Sequence, residues 1–148
     1  MVHDLDDKQE QAFRDELQQI VDSCVWRPET RFCLAVEEGE AWLLGDLEAV
    51  RLAFPNAKNA VLTAYVNDSI CGTWEILAAA VYSGGAKALA KGGFWAVGAE
   101  KAKWASEITF HMNVERNLSP SFRAFRNEIL RLSSAEYFHG VDPRLGEL

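Results

Sequence analysis

Cys71 lies in Asn67-Asp68-Ser69-Ile70-Cys71-Gly72-Thr73-Trp74, a segment expected to lead from a strand into a helix. A thiol at a helix N-terminus can lose its proton readily and act as a nucleophile. A base for it would have to come from elsewhere, and His111 is the natural choice. His111 stands in Glu107-Ile108-Thr109-Phe110-His111-Met112-Asn113-Val114-Glu115, where apolar and polar residues alternate. That period of two predicts a strand over 107–115 with Ile108, Phe110, Met112 and Val114 in the core. Thr109, His111, Asn113 and Glu115 would then share its polar face, alternate positions lying about 6.6–6.8 Å apart. A neighbouring Glu115 would favour the protonated imidazole. His111, Cys71 and Glu115 are therefore the candidate catalytic residues, and Thr109, His111 and Asn113 candidate ligand-binding residues. The same pattern also describes a strand whose polar face meets only water.

Two further groups could bind. Ser83-Gly84-Gly85-Ala86-Lys87, with Lys91, Lys101 and Lys103 downstream, could hold an anion on exposed backbone amides. It matches neither G-x-x-x-x-G-K-[ST] nor G-x-G-x-x-G. Trp95 and Trp104 flank this small-residue segment, and an exposed tryptophan is a common anchor for a partner or apolar ligand. Both are added to the candidate ligand-binding residues.

The elements that must position these groups follow from periodicity and breakers. Phe13, Leu17, Ile20, Val21 and Cys24 predict an amphipathic helix over 6–24, capped by Asp4 or Asp6. Strands are expected over 31–36 and 41–45, joined as a hairpin at Gly39. Asp46 is placed to cap a helix over 47–54 that Pro55 stops. Residues 60–66, rich in β-forming types, read as a third strand. A helix follows from Trp74 until Gly84-Gly85. Residues 86–106 read as two helical pieces broken at Gly92-Gly93, with Phe94, Val97, Lys101 and Trp104 along one side of the second, the alternative being a strand over 94–98. Ser119-Pro120 starts a last helix over 120–134. The tail from Gly140 to Leu148 reads as loose. The order α-β-β-α-β-α-α-β-α predicts an α+β fold, a single domain over 1–148. Its small, mostly antiparallel sheet of about four strands would carry packed helices.

The chain has 148 residues and a net charge of −7, a size that folds without disulfide or metal. The negative charge argues against a nucleic-acid binder, which must neutralise phosphates. The charge is uneven: residues 1–48 hold thirteen acids and four bases, and the remainder nine acids and eleven bases. A one-signed region of this kind steers a basic partner. The three cysteines, Cys24, Cys33 and Cys71, show neither C-x-x-C pairing nor zinc spacing. With no secretory leader and no membrane span expected, the location expected is cytoplasmic. No metal or cofactor is expected. The leading expectation is a small acidic binding or interaction protein of the immunity or partner-binding type, non-catalytic and homodimeric. The alternative is a small ligand-binding pocket or thiol-type hydrolase built around His111 and Cys71.

Overall fold

The computed structural model describes residues 1–139; the tail expected to be loose lies outside them. The chain is mainly helical. In order it forms β1 (Val2–Asp4), α1 (Glu10–Ser23), β2 (Cys33–Ala35), α2 (Glu40–Leu44), α3 (Leu47–Ala53), α4 (Asn59–Ala64), α5 (Thr73–Val81), α6 (Gly85–Ala90), α7 (Gly93–His111) and α8 (Pro120–His139). The sheet is one parallel pair, with Val2 opposite Cys33, His3 opposite Leu34 and Asp4 opposite Ala35. The expected four-stranded antiparallel sheet is not formed.

Three expected strands are helices, each for an identifiable reason. Residues 41–45 fall in α2, where Ala41, Leu43 and Leu44 are all buried. A short run buried on every side carries no period that separates helix from strand. Nor does Gly39 turn a hairpin there. It precedes α2 with φ −57°, and the left-handed residue is Glu37 at φ 63°. Residues 60–66 fall in and just beyond α4, where Leu62 enters the core; their β-forming character yields to that packing. The segment 107–115 is split between α7 and a turn. Helix α7 begins in the alanine-rich stretch and adds one hydrogen bond per residue as it extends, so it carries on through His111. Ile108 satisfies both periods, and it is buried in either. Phe110 satisfies only the strand period, and it is 85% exposed. Val114 is likewise exposed.

Several termini agree with local chemistry. The Asp46 side chain accepts the Ala49 N–H at 3.2 Å and so caps α3. Ser119 Oγ accepts the Phe122 N–H at 3.1 Å at the start of α8, with Pro120 as its first residue. Helix α1 is capped instead by Gln9, whose side chain accepts the Ala12 N–H at 2.6 Å. Its buried stripe is Phe13, Leu17 and Val21, while Ile20 and Cys24 face outward.

The main core joins α2 to α7, with Leu44, Val50, Leu62, Leu77, Leu89, Trp104 and Ile108 at its centre. A smaller cluster of Leu5, Phe13, Leu17 and Leu34 fixes α1 to the strand pair. A polar seam holds the α7–α8 connection against α2. Asn117 is buried and donates to the Trp42 carbonyl at 2.8 Å. Ser119 Oγ donates to Asp68 at 2.7 Å, and Asp68 also accepts the Ser121 N–H at 2.7 Å. Gly45 lies beneath this seam. A Cβ there would overlap the Asn117 side-chain oxygen and come within 2.9 Å of Ser119 Cβ. Its φ of −63° suits any residue, so the requirement is for space. Gly45→Ala is expected to lower stability by about 1–3 kcal/mol, the usual cost of overpacking. A urea melt reads this, and an unchanged midpoint would show that the seam moves aside freely.

Candidate functional site

His111 is the last residue of α7 and half-buried, its ring edge-on to Phe110 at 5.1 Å. It borders a shallow cavity with Ala53, Ser106 and Glu107. Cys71 lies just ahead of α5 and lines a different cavity. The thiol is exposed. No hydrogen bond joins the two side chains among the described residues.

The remaining members of the expected strand face are committed locally. The Thr109 hydroxyl donates back to the Ala105 carbonyl at 2.6 Å. Asn113 Oδ1 accepts the Glu115 N–H at 2.9 Å, and the Glu115 carboxylate pairs with Arg126. A shared polar face at strand spacing therefore does not exist. Trp104 is 1% exposed and belongs to the core, which removes it as a surface anchor. The expected anion site is also dispersed. Lys101 turns to Glu38 at 3.2 Å and Glu40 at 3.1 Å, and Gly84-Gly85 opens a helix of only six residues. Among the described residues no group of three or more His, Cys, Asp and Glu could hold a metal ion.

The structure brings other residues together at the start of α5. Glu37, held in the left-handed region, presents its carboxylate to three successive amides. It accepts the N–H groups of Cys71 at 3.3 Å, Gly72 at 2.8 Å and Thr73 at 2.8 Å. An anion at a helix N-terminus is favoured by the free amides and the helix dipole. Here the chain supplies its own anion, so those amides are not free to stabilise a Cys71 thiolate. The contact pins the segment 70–73 to the β2–α2 loop.

That pinned segment separates two cavities of opposite character. On one side is an apolar groove of about 700 Å³ walled by Ala60, Val61, Ala64, Val66 and Ile76, with Tyr65, Ser69 and Cys71 at its edge. Burial pushes the Tyr65 phenol up to about 12, and the nearby Asp68 charge adds to this against the hydrogen bond from the Asp68 amide. Tyr65 therefore stays neutral across the physiological range. On the other side is an acidic cleft of about 250 Å³ lined by Asp6, Asp7, Glu37, Glu38, Trp74 and Glu75. One Glu75 carboxylate oxygen is buried with no hydrogen-bond partner among the described residues. Behind Glu38, with which it shares Lys101, Glu40 is buried; burial pushes its carboxyl above the usual range, and Lys101 only partly opposes it.

A third feature is the turn between α6 and α7. Phe94 and Trp95 are 83% and 86% exposed and pack edge to face at 5.8 Å. Gly93 holds φ 75°, and a Cβ added there would meet nothing within 4 Å, so the space beside the turn is open. Lys87 on α6 and Lys91 just after its end are exposed.

Of the expected ligand-binding residues, Trp95 is thus available at the surface, whereas Thr109, Asn113 and Trp104 are engaged within the fold. The acidic cleft was not foreseen. Its acids come from residues 6–7, 37–38 and 75, and only the excess of charge in residues 1–48 hinted at it. No known protein family, curated protein or solved structure matches this chain.

Proposed function

We propose that the protein is a small binding module with no chemistry of its own, recognising a partner that presents an apolar anchor beside a basic group. The observation that carries this reading is the pairing of the apolar groove with the acidic cleft across residues 70–73. Each half suits a different part of one ligand. The groove would bury apolar surface at about 25 cal/mol per Å². The cleft offers carboxylates to a cation, and at about 250 Å³ it is smaller than the roughly 300–1,000 Å³ typical of small-molecule sites. It is nearer the size of one or two side chains. The hydrolase alternative is less well supported, because Cys71 and His111 border separate cavities. All three cysteines are free thiols, which suits the reducing, cytoplasmic setting expected from the sequence. No helix of the described residues is long and apolar enough to cross a membrane.

Titration with capped dipeptides tests the reading. Lys-Trp amide in the millimolar range should shift the NMR amide signals of Ala64, Cys71 and Gly72. Lys-Ala and Glu-Trp should shift them much less. Equal shifts from Lys-Trp and Glu-Trp, or none from either, would remove the basis for a mixed apolar and acidic site.

A further inference from the structure

The partner can be narrowed from the chain itself. Phe94, Val97, Lys101, Trp104 and Ile108 form one stripe along α7, as their spacing of three and four residues requires. Ile108 and Trp104 are buried, Val97 packs on the main core, and Lys101 reaches Glu38 and Glu40. Phe94 continues the same stripe but is uncovered, because the first turn of α7 overhangs the domain. It is a core-type residue on a core-facing line with no core beneath it. Trp95 beside it is equally uncovered. Two such rings present roughly 300–500 Å² of surface, the scale of patch that marks an interface.

The charge around the turn selects its cover. Lys91 lies three residues before Phe94 and Lys87 about one helical turn earlier; both are exposed, and neither forms an ion pair among the described residues. The surface that fits must hold an apolar depression beside carboxylates. This chain carries that combination at the groove and cleft, where Asp6 and Asp7 are exposed and Glu75 keeps an unpartnered oxygen.

We propose that the partner is a second copy of this chain: its α6–α7 turn lays Phe94 and Trp95 in the apolar groove and sets Lys87 and Lys91 against the acidic cleft. This rests on the binding reading above and names its ligand. In a two-fold dimer each copy gives its turn and receives the other's. Two aromatic pairs and the groove walls they cover would together remove roughly 800–1,200 Å² from water, the lower end of a specific interface.

A charge exchange tests this with the full chain. The cleft variant is Asp6→Asn/Asp7→Lys/Glu75→Lys, which with Lys101 sets three cations against Glu37 and Glu38, and the turn variant is Lys87→Glu/Lys91→Glu. Light scattering of the wild type across the micromolar range should show a species of twice the chain mass. Each variant alone should dimerise about tenfold or more weakly. An equimolar mixture should recover the wild-type dimer, since both contacts then join opposite charges. The recovery also shows that both variants are folded. A wild type that stays monomeric, or a mixture no stronger than its components, would overturn the proposal. If the dipeptides still shift the groove in that case, the binding reading stands and only the choice of partner falls. If the dipeptides fail too, both fall.

Discussion

Trp104→Ala should cost roughly 3–5 kcal/mol of stability, while Phe110→Ala should stay within about 0.5 kcal/mol. Trp104 is 1% exposed at the centre of the main core, on the α7 face shared with Ile108. Truncating it removes a large apolar area from the interior and leaves a cavity that α2, α3 and α6, the helices packed on α7, cannot close without moving. Phe110 lies two residues beyond Ile108, about 200° around the helix, and stands in solvent. A strand over 107–115 would reverse the assignment for Phe110 and give it a core-sized cost. Urea melts of the two variants therefore distinguish helix from strand at this segment. A loss at Phe110→Ala comparable with that at Trp104→Ala would contradict the fold.

Asp46→Ala is expected to cost on the order of 3 kcal/mol. Its carboxylate is 1% exposed and does three things at once. It caps α3, accepts the Asn113 N–H at 2.9 Å, and takes a two-pronged contact from Arg116 at 2.8 and 3.0 Å. Loss of a cap costs about 1 kcal/mol, and hydrogen bonds to a charged group contribute about 1.5–3 kcal/mol. Burial pushes the Asp46 carboxyl up. The hydrogen bonds from Arg116, Asn113 and Ala49, with the Arg116 charge, outweigh that and hold it below its usual 3.8. A depressed carboxyl stabilises the fold above the unfolded value and loses that contribution as pH falls through the folded one. The stability gap between wild type and Asp46→Asn should accordingly be constant near neutrality and narrow below about pH 3.8. Glu40 and Asp4 run the other way, since burial raises both carboxyls and acidification favours their folded forms. Taking the difference between the two proteins cancels those groups. A gap that widened on acidification would show that Asp46 is not held as an ion.

Local chemistry was legible wherever a residue acts on its own backbone. Asp46 as the cap of α3, Ser119-Pro120 at the start of α8, and the breaks at Gly84-Gly85 and Gly92-Gly93 all follow from side-chain reach and backbone freedom within a few residues. The α7 stripe from Phe94 to Trp104 was legible too, because a helical face is a matter of spacing. What misled was alternation in 107–115 and β-forming content in 60–66. Both are weak local preferences, and helix propagation and core packing override them. Strand β1 gave no signal, since three residues exposed on both sides have no pattern to show.

The sequence by itself determined that the chain is acidic in its first third and rich in apolar surface, that most helix boundaries fall at its breakers and caps, and that Trp95 stands beside a lysine-bearing segment. Only the tertiary structure decided which tryptophan is buried. It also decided that Cys71 and His111 lie apart, and that acids from three separate segments meet Trp74 in one cleft. The reason is physical: capping and periodicity act over one or two turns, whereas the cleft and groove are made by Glu37 reaching the amides of residues 71–73 across more than thirty positions of chain.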